Sequence, residues 1–201
     1  RVLDLGCGVG QLAHHLAEAG AAEVTAVDVS VRMLAVARSE WAHPRVTYRL
    51  DAMESVDFPS ERFDLVVSSL AFHYVDDYTG LARRIAEWLS PGGILVFSTE
   101  HPIYTARSTA DGWVVNGEGQ RVGWALDRYA DEGAREHRWF VEGVRRYHRT
   151  MATLLNGLVN AGLAVERVVE PAPSDAWLRE RPHSIDERRR PMFLLVRARK
   201  V

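Results

Sequence analysis

The chain has 201 residues, of which 47% are hydrophobic and 26% are charged, and its formal net charge is −2. This length fits one domain with a complete hydrophobic core, and we expect a single domain over residues 1–201. A nearly neutral chain lacks the excess of positive charge that binds a phosphate backbone, which disfavours nucleic acid as a partner. The arginines at 188–190 follow two acidic residues and are expected to form a solvated loop.

The single cysteine, Cys7, excludes an internal disulfide and predicts a reducing, cytoplasmic compartment. No apolar run approaches the roughly 18 residues that a membrane-spanning helix needs. The scattered histidines and carboxylates lack the spacing of metal ligands, so we expect no metal. The chain begins on Arg1 rather than Met, and we expect further residues to precede it.

In chain order, short β-like runs alternate with helical runs through the first half of the sequence. The predicted strands cover residues 2–5, 24–29, 46–50, 63–69 and 94–99. A helix from Gln11 to Ala19 with Ala19 facing inward, a helix capped by Ser30, and an apolar stripe from Leu81 to Leu89 separate them. Parallel neighbours need long, usually helical connections, so this alternation predicts a parallel sheet covered on both faces.

The alternation breaks over residues 100–149, which we interpret as an insertion, or lid, over the carboxyl end of the sheet. Within it, "WVVNGEGQRVGW" predicts a hairpin that turns at Asn116-Gly117. A helix over 150–161 follows. The two late runs "LAVERVVE" and "PMFLLVRARK" have no clear helix between them and are expected to pair antiparallel at a sheet edge.

Three glycines, Gly6, Gly8 and Gly10, occupy the turn from the first predicted strand into the first helix. In an open α/β sheet, ligands bind outside the carboxyl ends of the strands, and such a turn lets the backbone approach them. The spacing is G-x-G-x-G, whereas a dinucleotide fingerprint reads G-x-G-x-x-G and its last position falls on Gln11 here. Taken alone, the trio is a weak signal, and a tight strand-to-helix turn without a ligand stays open as an alternative.

The surrounding residues decide between these interpretations. "VLDLGCGVG" resembles the first motif of class I S-adenosylmethionine (SAM)-dependent methyltransferases. Similar proteins continue with an acidic residue ending the second strand, another after the third, and a "P-G-G" turn before the fifth, as Asp28, Asp51 and Pro91-Gly92-Gly93 do here. The resemblance covers about residues 2–99. It implies an α/β, doubly wound (Rossmann-like), seven-stranded, mostly parallel sheet with the last strand antiparallel, plus the insertion after strand five.

The resemblance also implies SAM as the cofactor, with S-adenosylhomocysteine (SAH) as its product. Asp28 would accept from the ribose hydroxyls, and Asp51 with the Ala52 amide would contact the adenine. Asp4 would face the methionine amino group, and an aspartate inside an apolar strand is costly unless it has such a role. Met33 could equally belong to the core, and Cys7 could simply be a small residue. The implied cofactor residues are Asp4, Gly6, Cys7, Gly8, Gly10, Asp28, Val29, Met33, Asp51, Ala52, Met53, Ser68, Ser69 and Leu70.

Methyl transfer is an in-line displacement, so a base is needed only when the nucleophile must lose a proton. The candidates are Glu100 and His101, at the end of the fifth predicted strand, and His148, in "YHRT". Pro102 restricts His101 to extended backbone, and a histidine titrates near neutrality. A structural, hydrogen-bonded His101 remains equally open.

The candidate substrate residues are His73, Tyr104 and Tyr147. A packed or capping role for His73 is an open alternative. Trp113, Trp124 and Trp139 could add an aromatic lid, although plain packing of the insertion would use them too.

After the fourth predicted strand, "SSLAFHYV" lacks the Asp/Asn-Pro-Pro-aromatic tetrad of enzymes that methylate the amines of nucleic-acid bases. It resembles the small-molecule branch, which includes the ubiquinone/menaquinone biosynthesis methyltransferases. This resemblance implies a small-molecule acceptor with an oxygen, nitrogen or carbon nucleophile. Two alternatives stay open: an NAD-dependent oxidoreductase, since Asp28 suits the ribose of NAD equally, and a non-catalytic SAM-binding domain.

Overall fold

The computed structural model describes residues 1–106, 112–137 and 144–201, and its central feature is a seven-stranded sheet. The described strands are β1 (Val2–Leu5), β2 (Val24–Asp28), β3 (Val46–Leu50), β4 (Phe63–Ser69), β5 (Leu89–Glu100), β6 (Trp113–Val115), β7 (Arg121–Trp124), β8 (Gly133–His137), β9 (Val144–His148), β10 (Leu163–Val169) and β11 (Phe193–Lys200). The sheet order is β10-β11-β5-β4-β1-β2-β3. Six of these strands are parallel, and β11 runs antiparallel between β5 and β10. The predicted fold, with its last strand reversed, is confirmed.

Helices cover both faces of this sheet. The described helices are α1 (Gln11–Glu18), α2 (Val31–Glu40), α3 (Tyr78–Trp88), α4 (Pro102–Thr105), α5 (Met151–Asn160) and α6 (Asp175–Glu180), with 3₁₀ turns at Phe72–Tyr74 and Pro182–Arg189. One hydrophobic cluster joins α3 and α5 to the sheet, and a second cluster joins α1 and α2 to it. The side chains of a strand alternate between faces, so Leu3 and Val2 of β1 belong to different clusters.

Two helices differ from the sequence-based expectation. Helix α1 buries Ala13 and Ala17, whereas Ala19, which we expected to face inward, is exposed. Helix α6 lies in the stretch between the late strands where we expected none. The Ser174 hydroxyl caps it by accepting from the Trp177 amide. A six-residue polar helix is too short to show an apolar period, which explains the miss.

The Pro-Gly-Gly motif lies inside β5 rather than before it. Pairing with β4 passes from Phe63↔Leu89 to Leu65↔Ile94, so residues 90–93 form a bulge in the strand. Gly92 has a φ of 73°, which favours glycine at this position.

Among the described residues of 100–149, the strands form two antiparallel pairs, β6–β7 and β8–β9. The predicted β6–β7 hairpin pairs Trp113 with Trp124. Its five-residue loop is held by the Asn116 side-chain oxygen, which accepts from the amides of Glu118 and Gln120. Trp139 lies outside the described residues.

The arginines at 188–190 are not uniformly solvated, contrary to our expectation. Arg188 pairs with Asp175 on the surface. Arg190 is instead buried, with its guanidinium 4.1 Å from the centre of the Trp124 ring. The charge stacks on the aromatic residues of the insertion, an interaction that the charge run in the sequence did not reveal.

Candidate active site

A cavity of about 700 Å³ lies at the carboxyl ends of strands β1 to β4. This is where an open α/β sheet binds its ligands. Nine of the fourteen predicted cofactor residues line it: Gly6, Gly8, Asp28, Val29, Met33, Asp51, Met53, Ser69 and Leu70. Asp4, Cys7, Gly10, Ala52 and Ser68 do not.

The three glycines of the first turn all have positive φ values, between 54° and 85°. A Cβ on Gly6 would lie 2.5 Å from the Cβ of Ala71, and one on Gly10 would lie 2.5 Å from the Tyr48 hydroxyl. Both distances are too short for real side chains. A Cβ on Gly8 would meet no atom within 4 Å. Gly6 and Gly10 therefore allow close packing within the protein, whereas Gly8 leaves space on the cavity side.

The carboxylate of Asp28 organises this turn. Its Oδ2 accepts from the Gly8 amide and its Oδ1 from the Ser30 amide, each at 2.8 Å. Asp28 also lines the cavity, and each carboxylate oxygen has a second lone pair for a ligand hydroxyl. The Ser30 hydroxyl separately caps α2.

Asp4 lies in β1, two residues before Gly6, and is 1% exposed. Neither of its carboxylate oxygens has a hydrogen-bond partner among the described residues. Burial, together with the negative charge of Asp28, raises the pKa of Asp4 to about 7. Burial also raises the pKa of the nearby Cys7 thiol, which keeps it protonated. Ser68 has a structural contact, since its hydroxyl donates to the Leu5 carbonyl at 2.7 Å.

Asp51 is held by its own neighbours. Arg49 contacts its carboxylate at 2.6 Å and lowers its pKa. The Ala52 amide donates to Asp51 at 2.9 Å and the Ser55 hydroxyl donates at 3.1 Å. The Ala52 amide, predicted to reach a ring nitrogen, is thus engaged by Asp51 in this arrangement.

Apolar side chains at the cavity are exposed rather than packed in the core. Met33 is 46% exposed and Val29 is 72% exposed, so the alternative of a core Met33 is wrong. Sequence reasoning missed Tyr74, which also lines the cavity and is 41% exposed. The signal available was its position one residue after His73, in the segment that follows β4.

The predicted base Glu100 forms a buried ion pair with Arg146 of β9, at 3.0 Å. Burial raises the pKa of Glu100, and the positive charge of Arg146 opposes this. Neither residue lines the cavity.

Both predicted catalytic histidines have two engaged ring nitrogens. His101 contacts Glu170 through Nε2 at 2.8 Å, and its Nδ1 accepts from the Ile103 amide, which caps α4. His148 is fully buried, with Nδ1 2.7 Å from the Thr105 hydroxyl and Nε2 2.9 Å from the Tyr129 carbonyl. Burial lowers the pKa of each histidine. For His101, these contacts match the alternative of a hydrogen-bonded structural residue rather than a base. The contacts of His148 are structural as well.

The three predicted substrate residues lie in different surroundings. His73 is buried, with its ring 4.2 Å from that of Tyr74 and its Nδ1 3.4 Å from the Thr99 hydroxyl. Tyr104 stacks on Trp124. Tyr147 lines a smaller cavity of about 280 Å³ together with His148, Asp76 and Glu132.

Within residues 1–106, 112–137 and 144–201, no helix has the length and apolar character to cross a membrane. The same residues contain no cluster of three or more His, Cys, Asp or Glu side chains placed to hold a metal ion.

Comparisons with known proteins define the family. Residues 2–93 match the family model described as a methyltransferase domain. A solved SAM-dependent methyltransferase from Mesorhizobium loti is 46% identical, with a TM-score of 0.92, over 99% of this chain and 90% of that one. N-demethylindolmycin N-methyltransferase of Streptomyces griseus is 31% identical over 98% of this chain and 79% of that protein. A ubiquinone biosynthesis O-methyltransferase of Bradyrhizobium sp. is 39% identical over 49% of this chain and 39% of that protein.

The fold and these relatives define a SAM-dependent methyltransferase. The chain belongs to the class I SAM-dependent methyltransferases. SAM is its cofactor, and the chain's own residues fit that molecule. The unpartnered carboxylate of Asp4 suits a cation, the space beside Gly8 suits close contact, and Asp28 suits a diol.

Proposed function

We propose that this protein transfers the methyl group of SAM to a small-molecule acceptor that enters at the mouth of the 700 Å³ cavity. The observation that carries the proposal is the cavity itself, which combines carboxylates with exposed apolar side chains and includes Tyr74 in its lining. Such a pocket has the size and mixed lining of a small-molecule site. N-demethylindolmycin N-methyltransferase, which aligns over 98% of this chain, is named for a small-molecule acceptor. Relatives that align over only about half of this chain are named for ubiquinone biosynthesis and for malonyl-[acyl-carrier protein].

Within this proposal, Asp28 binds the ribose hydroxyls and Asp4 balances the ammonium of the methionine moiety. Met33 and Val29 cover the adenine with their exposed apolar surface. Asp51 offers the adenine amino group a carboxylate that Arg49 keeps ionised. SAM supplies an electrophilic methyl group, and the protein's task is to align it with the acceptor and exclude water.

The acceptor side is proposed to lie between Tyr74 and the insertion. Tyr74 lines the cavity. Burial raises the pKa of its phenol, the negative charge of Glu100 adds to this, and the positive charge of Arg146 opposes it. Residues 100–149 would form a lid within one domain over 1–201. A cytoplasmic location completes the proposal and agrees with the reduced, buried Cys7.

The hydrogen bonds of the predicted bases bear on which residue could take a proton from the acceptor. His101 and His148 each hold two protein partners, so Glu100 is the predicted base that remains, and its ion pair with Arg146 would open to serve the acceptor. An acceptor amine with a free lone pair attacks without a base. Nitrogen acceptors therefore make the smallest demand on this site.

The test is transfer from SAM labelled in its methyl group to three extracts: deproteinised small molecules, total protein and total RNA. Label in the small-molecule extract, lost with Asp28→Asn, is expected. Label in protein or RNA alone would overturn the small-molecule proposal. Binding of SAH without transfer to any extract would favour the non-catalytic alternative.

A further inference from the structure

Asp4 is a carboxyl group in a strongly apolar position. It lies within β1, between Leu3 and Leu5, which are both fully buried. Its register partners on the neighbouring strands are Ala26 of β2 and Val67 of β4. Both of its oxygens are buried without a hydrogen bond. An ionised carboxylate in such a place, without a cation, is expensive.

The surrounding ionisable groups do not relieve this cost. Asp28, at the end of β2, places a second negative charge near Asp4. Cys7 and Tyr48 also sense the charge of Asp4, and burial raises the pKa of both, that of Tyr48 to about 12. They are neutral at physiological pH and supply no counter-charge.

Among the described residues, α1, α2 and β4 bring no cation to Asp4 either. On α1, His14 packs against the rings of Trp41 and His43, and His15 is exposed. Arg38 of α2 donates to the Tyr48 carbonyl. On β4, Asp64 pairs with the amino terminus at the opposite end of the sheet.

We propose that Asp4 carries a proton in the cofactor-free protein and releases it to solvent when the ammonium group of SAM binds, so that cofactor binding and one proton are linked. The step forms an ion pair from a neutral carboxyl and an ammonium, and the carboxyl proton leaves to water. The inference rests on the proposed function, which assigns Asp4 to the methionine moiety.

The linkage has a defined pH range. Burial and Asp28 hold the pKa of Asp4 near 7. Below that value most of the free protein is protonated at Asp4, and the apparent affinity falls about tenfold for each further pH unit. Above pH 7 the Asp4 carboxylate is already formed, and cofactor binding releases few protons.

The experiment is calorimetric titration with SAH in two buffers of different ionisation enthalpy, at about pH 6 and about pH 7.5. 5′-Methylthioadenosine is the matched ligand, because it keeps the adenine, ribose and sulfur but lacks the amino-acid end. We expect about one proton released per SAH at the lower pH, fewer at the higher pH, and none with methylthioadenosine.

Variants complete the test. Asp4→Asn should abolish the proton release, and Asp64→Asn, at the far end of the sheet, should retain it. Should Asp4→Asn fail to fold, infrared spectra of the wild type with labelled aspartate should show a protonated carboxyl band that SAH removes.

The outcomes separate the two claims. Absence of SAH binding at every pH would contradict the proposed function. SAH binding without proton release at the lower pH, or equal release by Asp4→Asn, would overturn the linkage alone.

Discussion

The guanidinium of Arg146 lies 3.0 Å from the carboxylate of Glu100, and both side chains are more than nine-tenths buried. The pair joins β9 of the insertion to the end of β5. Breaking a buried ion pair by removing one partner leaves an uncompensated charge, which costs about 3–5 kcal/mol. We therefore expect Arg146→Met to lower the free energy of unfolding by that amount in urea denaturation.

The double variant Glu100→Gln/Arg146→Met removes both charges and provides the control. It should recover much of the lost stability, because no lone charge remains buried. A double variant as unstable as Arg146→Met would show that packing, rather than charge, sets the cost.

Gly6 and Gly8 allow a matched comparison. Both have positive φ, so an alanine at either position is strained by about 1–2 kcal/mol. At Gly6 the added Cβ also meets Ala71 at 2.5 Å, whereas at Gly8 it meets nothing. Gly6→Ala should be clearly the less stable of the two in thermal denaturation. Gly8→Ala should fold but bind SAH more weakly, because its methyl group enters the cavity. Equal stability of the two variants would contradict the close approach at Gly6.

Asp4 is expected to reduce the stability of the free protein at alkaline pH. Its pKa is raised to about 7 in the folded state, so the folded protein holds a proton that the unfolded chain has lost. The contribution of this protonation to the free energy of unfolding is fully present below the ordinary pKa of about 3.9. It is lost as the pH rises through 7, by up to about 4 kcal/mol. Asp4→Asn should therefore be more stable than the wild type at pH 8 in urea titrations. The free energies of unfolding of the two proteins should converge toward pH 4. A variant that is less stable than the wild type at pH 8 would count against this account.

His148 has the opposite pH dependence. Burial lowers its pKa, so the unfolded chain binds a proton near pH 6 that the folded protein does not. Its contribution is present above the ordinary pKa of about 6.5 and is lost as the pH falls below it. The slope of unfolding free energy between pH 7.5 and 5.5 should be shallower in His148→Gln than in the wild type. A slope in His148→Gln equal to that of the wild type would contradict this account.

The sequence predicted the cofactor side of this protein because its determinants are local. Gly6, Gly8 and Asp28 lie within two consecutive strand-to-helix turns, where spacing alone brings them together. The structure places all three at one cavity.

The acceptor side depends on contacts between distant segments. His101 meets Glu170 and His148 meets Thr105 and Tyr129, so no local pattern showed that both ring nitrogens were occupied. Tyr74 was missed for a local reason, because a 3₁₀ turn of three residues has no period that predicts which side chain faces a cavity.

The most direct test of the central claim is calorimetric titration of the wild type and Asp28→Ala with SAM, SAH and NADH. We expect the wild type to bind both sulfur compounds but not NADH. The variant should lose at least about tenfold in affinity for both, since it lacks the charged acceptor for two hydroxyl donors. Binding of NADH without SAM, or unchanged SAM affinity in Asp28→Ala, would contradict the account.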